Sequence, residues 1–381
     1  MNGSIRKKNT KSWEITIDLG RDDNGKRRRK YEYVTGTKAE AQRRLRELLT
    51  DLDKGLPIDA PKMTLGAFLD TWLIDYAEIR TVPRTVDGYR GTVERYLKPN
   101  LGNILLSKLT QHHVQRLYSD MRENGLSART ILHTHKLLSQ ALKHAVKWGL
   151  LIRNICEAVD PPRPRRKEMK ALDTDDVQVF LEAIKDSPYG HLFFVMLYTG
   201  LRRGEVLGVR WCDVDINKET LSVNQSVVRL HNKGLMITEP KTPYSRRLIS
   251  LSPSVVALLR GLRVSQMDQM EGDGIEWEEQ RLIFANDDGE PLSPDTVTHA
   301  FAKIIKRTGL PHVRLHDLRH THATLMLKQG VHPKIVSERL GHSSVSITMD
   351  TYSHVLPGMQ TEAAIAFEEA IHVITAAIGP V

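Results

Sequence analysis

The sequence predicts a multidomain α+β protein. A small N-terminal three-stranded sheet plus helix comes first, then an all-α middle domain. A mixed, mainly-α C-terminal domain with a small antiparallel sheet follows. Three observations predict this. The chain's 381 residues exceed what one compact core organises, so two or three domains are expected. Strand-like runs are confined to the N-terminal module and to residues 219–251, while helical spacing dominates elsewhere. Proline-bearing breaks at Pro57 to Pro61 and Asp160 to Lys167 separate the parts, giving expected domains 1–56, 63–158 and 170–381.

In the first part, Ser12-Trp-Glu-Ile-Thr-Ile-Asp alternates as a strand does, Asp22-Asp-Asn-Gly25 reads as a hairpin turn, and Arg28 to Val34 as the returning strand. A short run around Ile5 supplies the third. A helix is expected from the N-cap Thr37 through Leu45, Leu48 and Leu49 to near Leu52. In the middle part, Leu65, Phe68, Leu69 and Trp72 share a helical face, as do Ile131, Leu138, Leu142 and Val146. Arg90, Arg95, Arg116, Arg122, Arg129, Lys136, Lys143 and Lys147 ride on these helices, interleaved with Tyr89, Tyr96 and Tyr118.

Beyond the second break, Asp173-Thr-Asp-Asp opens a helix through Ile184, and a buried helix is expected from His191 to Thr199. Strands are expected at 219–229, 234–239 and 246–251, and helices from Ser254 to the end. The tail places Ala363, Ala364, Phe367, Ala370, Ile371 and Ile374 at helical spacing, for docking on its own domain or on a neighbouring protomer.

Composition removes several classes. Cys156 and Cys212 are far apart and form no CxxC pair, which argues against a disulfide framework or a cysteine zinc site. The start lacks an apolar signal core and the longest apolar stretch, near Leu192 to Leu197, is too short for a membrane span, so a cytoplasmic protein with no membrane partner is expected. Lys and Arg total 55 against 46 Asp and Glu, a net charge of +9. Residues 1–62 alone hold 16 cations against 10 anions. This excess is compatible with nucleic acid.

The chemistry-bearing residues lie in the last half. Thr199-Gly-Leu-Arg202-Arg-Gly-Glu205 is followed by Lys241, isolated between strand-like runs, then His316-Asp-Leu-Arg319, Leu340-Gly-His342 and Asp350-Thr-Tyr352. The inventory is one-sided: arginines, histidines and a lysine supply donors and positive charge, and one tyrosine supplies a nucleophile. A phosphodiester suits it, because guanidinium forks hold developing negative charge and the ester can pass to a phenol oxygen. His316 and His320 also stand one helical turn apart, as metal ligands do. No zincin glutamate accompanies them and Arg319 between them opposes a cation, so no metal is expected. His320 and His322 are read as packing or helix-capping residues.

These five elements, in this order, resemble the tyrosine recombinases of the phage-integrase family over residues 63–355. The basic N-terminal module is similar to the arm-binding domain of phage and conjugative-transposon integrases. The resemblance implies site-specific integration and excision of a phage or mobile element. Tyr352 would attack the scissile phosphate to leave a 3′-phosphotyrosyl link and a free 5′-hydroxyl. Arg202 and Arg319 would fork onto the non-bridging oxygens, and His316 and His342 would hydrogen-bond the same phosphate, one of them taking the tyrosine's proton. Lys241 would protonate the leaving 5′-oxygen. Glu205 would hold Arg202 or its helix start, and Arg203 would face DNA or the surface. No cofactor is implied. The implied partners are double-stranded DNA at core and arm sites, a homotetramer on that DNA, and candidate further proteins, namely a host DNA-bending protein and an excisionase. The middle and C-terminal domains would clamp the duplex. A catalytically inactive DNA-binding homologue and a type IB topoisomerase-like relaxing enzyme are the alternative readings.

Overall fold

The structure, a computed structural model, describes residues 3–9, 11–21, 27–53, 63–164, 169–230, 233–239 and 246–352, with six positions between 364 and 371. The chain divides into two units, Met1–Arg166 and Lys167–Val381.

The first unit holds two separate cores. At its start, β1 (Gly3–Asn9), β2 (Ser12–Arg21) and β3 (Arg27–Thr35) form an antiparallel sheet in that order, so the weak run around Ile5 is a full strand with Ile5 opposite Ile15. Helix α1 (Lys38–Asp53) begins in a reciprocal cap: the Thr37 amide donates to Glu40 Oε2 at 2.7 Å and the Glu40 amide to Thr37 Oγ1 at 3.3 Å. Strand alternation turns Ile15 and Ile17 onto Leu48 of that helix. The opposite face carries Tyr31 and Tyr33, which are 51% and 54% exposed, with Lys8 Nζ 4.3 Å above the Tyr33 ring. The expected turn at 22–25 lies outside the described residues.

The second core joins α2 (Leu65–Trp72), α3 (Pro83–Thr92), α4 (Gln111–Glu123) and α5 (Ala128–Lys147). The Thr64, Thr110 and Ser127 side chains cap α2, α4 and α5. Trp72 Nε1–H donates to His144 Nδ1 at 3.0 Å inside this core. Two π-turns, Leu73–Ala77 and Val93–Leu97, widen the helical path. Apolar spacing did not announce them, because one extra residue in a turn leaves the periodicity on either side intact. Two of the tyrosines interleaved with the basic residues point inward. Tyr118 is 3% exposed, with its hydroxyl 2.6 Å from His135 Nδ1, and Tyr89 packs on Trp72. Arg95, Arg116, Arg122, Arg129, Lys136, Lys143 and Lys147 are exposed, whereas Arg90 is paired with Glu78.

The second unit opens with α6 (Thr174–Ala183), capped by Asp173, followed by α7 (Gly190–Thr199) and the short α8 (Arg203–Leu207). Phe180, Phe193 and Phe301 meet edge to face at the centre of its core. The expected strand at 219–229 is two strands in different sheets. β4 (Val214–Asp215), β5 (Thr220–Ser222) and β8 (Leu248–Ser250) make one sheet, while β6 (Ser226–Leu230) and β7 (Gly234–Thr238) make a hairpin. The chain breaks where the side chains of Asn224 and Gln225 are drawn to Asp213 Oδ1 and Gly208 O, at 2.8 Å each.

Helix α9 (Pro253–Gly272) follows, but helices do not run on from it. Residues 279–283 lie against 209–212 instead, with the Trp211 amide donating to Arg281 O and the Ile283 amide to Val209 O. Helices α10 (Pro294–Thr308), α11 (Asp317–Lys328), α12 (Pro333–Leu340) and α13 (Val345–Tyr352) complete the described fold. Most of the tail lies outside the described residues; Phe367 and Ile371 within it are exposed. Among the described residues, no helix is long and apolar enough to cross a membrane.

Candidate active site

The site is assembled around the C-terminus of α12. Helix ends leave carbonyls without intrahelical donors and carry partial negative charge. Here three successive carbonyls are each held by a different arginine. Arg247 Nε donates to Arg339 O at 2.7 Å, Arg319 Nη2 to Leu340 O at 2.6 Å, and Arg202 Nη2 to Gly341 O at 3.1 Å. The Leu340-Gly-His turn is thus the junction that locates both arginines expected to grip a phosphate. Gly341 has φ 66°, and a Cβ there would lie 3.0 Å from the Arg247 guanidinium, so the motif needs glycine for conformation and for space.

Arg202 is placed by the end of α7. Gly200 closes that helix with φ 68°, and a Cβ on it would meet His322 at 2.7 Å and Leu340 at 2.8 Å. Arg202 then caps α8. Glu205 accepts the Arg202 amide at 2.9 Å and Arg202 Nη1 at 2.6 Å, so both of the roles expected for this carboxylate are present. Glu205 also takes Arg247 Nη2 at 2.8 Å and Nη1 at 3.2 Å. Burial works against its charge, but Arg247 and then Arg202 override that and hold the carboxyl at about 2. Arg203 departs from expectation: its Nη1 donates to Thr298 Oγ1 at 2.7 Å and Pro294 O at 3.1 Å, tying α8 to α10.

Arg319 is 2% exposed, and its Nη1 donates to Gly200 O at 2.8 Å. Among the described residues no carboxylate pairs with it. Burial, and then Arg202, lower its hold on the proton, with Glu205 acting the other way. His316 stands at the start of α11, where the Asp317 carboxylate fastens Arg314 and closes the turn. Although the His316 ring opens to solvent, the protein packed around it and then Arg319 lower its pKa. His342 Nδ1 lies 2.8 Å from Thr348 Oγ1, and burial followed by Arg319 and Arg202 pushes it down to about 4.

Tyr352 ends α13 at 2% exposure, packed on Ala323, Leu327, Val336 and Leu340. Burial pushes its phenol up to about 12, against the pull of Arg319. Its hydroxyl lies 2.7 Å from His320 Nδ1. This corrects the expectation that His320 is a packing or capping residue. His322 does bond within the scaffold, accepting from Arg339 Nε at 3.0 Å. The sequence signal for His320 was its one-turn spacing from His316, which puts both rings on one face, 5.1 Å apart. Arg247 was missed altogether, since nothing in its sequence context separates it from Arg246. Lys241 lies outside the described residues. No group of three or more His, Cys, Asp or Glu among the described residues is arranged to hold a metal ion.

Two arginines, Arg202 and Arg319, therefore meet at one helix end, beside the buried Tyr352. The sequence matches the Phage integrase family over residues 170–358 and the phage integrase N-terminal SAM-like domain over 64–122. It is 31% identical to a tyrosine recombinase XerC-like protein of Caldanaerobacter subterraneus subsp. tengcongensis, covering 92% of this chain and 94% of that one. It is 26% identical to the ICEBs1 integrase of Bacillus subtilis, covering 95% and 98%. In fold it is similar to the Tn1549 transposon integrase in complex with a circular intermediate DNA, with TM-score 0.67 and 20% identity over 81% of this chain and 99% of that one. A lambda integrase tetramer bound to a Holliday junction matches with TM-score 0.57 and 20% identity over 92% and 94%. The chain belongs to the phage integrase family and is a tyrosine-type site-specific recombinase.

Proposed function

We propose that this recombinase integrates and excises a phage or conjugative element, cleaving and rejoining double-stranded DNA through a 3′-phosphotyrosyl intermediate on Tyr352. The observation that carries the reading is the convergence of Arg202 and Arg319 on adjacent carbonyls of the turn that bears His342, with Tyr352 packed against the same helices. Both guanidinium groups have more N–H donors than these contacts use, and a phosphodiester is the anion such forks fit. In this reading Arg202 and Arg319 grip the non-bridging oxygens and His316 and His342 donate to the same phosphate. Tyr352 attacks in line, and the 5′-hydroxyl of a partner duplex reverses the attack. A homotetramer on DNA supplies the paired sites.

The test uses DNA flanking the encoding gene. Two plasmid-borne copies of its inverted core repeat are expected to recombine with wild-type protein and not with Tyr352→Phe. Relaxation of supercoils without paired sites would favour a topoisomerase instead.

Lys241 is the proposed general acid. Lys241→Ala is expected to slow cleavage ~10²–10³-fold with little change in DNA affinity, and a 5′-thiol leaving group, which needs little protonation, should restore the rate. Failure of that rescue would assign Lys241 a positioning role.

Residues 1–56 are the proposed arm-type module, residues 63–158 the core-binding domain and residues 170–381 the catalytic domain. Support for the first comes from the outward face of its sheet, where Tyr31 and Tyr33 stand with exposed Arg6, Lys8 and Arg29. Deleting residues 1–56 is expected to remove a distal class of footprints, leave core-site cleavage intact and flatten the salt dependence of binding. Identical footprints before and after truncation would contradict this.

A further inference from the structure

His320 touches the atom on which the proposed chemistry depends. The imidazole Nδ1 and the Tyr352 hydroxyl are 2.7 Å apart, and the two rings lie 5.8 Å apart at 56°. The pair is set by the fold: His320 follows the buried Arg319 on α11, and Tyr352 ends α13 with its ring sealed among Ala323, Leu327, Val336 and Leu340. The other two histidines near the site are differently engaged. His342 Nδ1 is bonded to Thr348, and the His316 ring opens to solvent one turn before His320. Of these two neighbours on one helix face, His316 is exposed and His320 is half-buried against the phenol.

We propose that His320 is a catalytic residue that aligns the Tyr352 hydroxyl and accepts its proton as the phosphotyrosyl bond forms. The inference rests on Tyr352 being the nucleophile. In the step, the phenol oxygen bonds to phosphorus and the bond from phosphorus to the 5′-oxygen breaks. The phenol proton passes to His320 Nδ1, and the leaving oxygen takes a proton from Lys241. Rejoining runs the same transfers backwards.

An acceptor at Nδ1 requires the neutral ring protonated on Nε2. The surroundings favour that form before DNA arrives. Burial, then His316, Arg319 and Arg314, push His320 down to about 4, with Asp317 alone acting the other way. His342 and the phenol complete the set of groups facing it. An incoming scissile phosphate adds negative charge beside this cluster, which favours the imidazolium at the stage where the proton moves.

The test is single-turnover cleavage of a nicked core-site duplex by the full-length protein, comparing wild type with His320→Ala and His320→Asn. Asparagine can receive the phenol's hydrogen bond but cannot take its proton. Both variants are expected to bind the duplex and melt as the wild type does. Both should cleave ~10²–10⁴-fold more slowly, the range for a lost general base. Wild-type cleavage should be level from pH 6 to 8, whereas the variants should accelerate with pH as hydroxide replaces the missing base. Rates within about threefold of wild type, full rescue by asparagine, or a level variant profile would each overturn the proposal. A wild-type protein that traps no adduct would sink the nucleophile reading and this inference together. Adducts forming equally in wild type and variants would sink this one alone. Independently, ¹⁵N spectra of the DNA-free protein should show His320 Nδ1 unprotonated and shifted by Tyr352→Phe; a protonated Nδ1 would overturn the assignment.

Discussion

Replacing Arg319 with alanine is expected to slow DNA cleavage by ~10²–10³, comparable to losing one preorganised donor to a transition-state oxyanion. The reason lies in its partners. Arg319 is 2% exposed, yet among the described residues it meets only carbonyls, those of Gly200 and Leu340. A buried cation without a carboxylate is costly unless an anion arrives. Burying this cation therefore costs stability that a bound anion would offset. Arg319→Lys should fail nearly as badly, since an ammonium cannot hold two carbonyls and a phosphate in one plane. A second readout separates this from simple unfolding. Core-site DNA should raise the melting temperature of the wild type more than that of Arg319→Ala. Equal cleavage rates, or equal stabilisation by DNA, would show that Arg319 is only a scaffold.

Glu205→Ala is expected to be the most destabilising substitution at the site. One carboxylate receives four bonds, two from Arg202 and two from Arg247, and the Arg247 side chain is only 6% exposed. Its removal breaks a buried ion pair with the Arg247 guanidinium, which costs about 3–5 kcal/mol. In a unit of this size that lowers the melting temperature by roughly 6–20 °C. Cleavage should fall as well, because Arg202 loses the group that orients it. The pH dependence has a definite sign. The folded carboxyl is held at about 2, below its ordinary value of 4.5, so its contribution is complete above pH 4.5 and is lost as pH falls from there toward 2. Acid melting curves should show this loss in wild type and much less of it in Glu205→Gln. Matching acid profiles for the two proteins would contradict the assignment.

Much of the fold was legible because its signals are local. Alternation over residues 12–18, the Thr37 cap and the Asp173 cap each describe a few neighbouring residues, and each element formed where those signals placed it. Errors arose where a distant partner decided the outcome. Asn224 reaches Asp213 and breaks a strand that reads as continuous, and residues 279–283 are captured by 209–212 rather than joining a helix. The π-turns left no periodic trace. At the site, motif order named Arg202, Arg319, His342 and Tyr352, and the fold brings the two arginines onto adjacent carbonyls of the turn that bears His342. His320 and Arg247 act through long-range contacts, 32 residues to the phenol and 42 to Glu205, which one-dimensional spacing does not encode.

The most direct measurement is the identity of the covalent link. A core-site duplex nicked beside the crossover point loses its short 5′-hydroxyl fragment on cleavage and traps the protein on the strand that remains. The expected product is a phosphotyrosyl peptide containing Tyr352 on the 3′ end of that strand, absent from Tyr352→Phe. A link to another residue, a 5′ attachment, or a duplex that is bound and never cut would contradict the account.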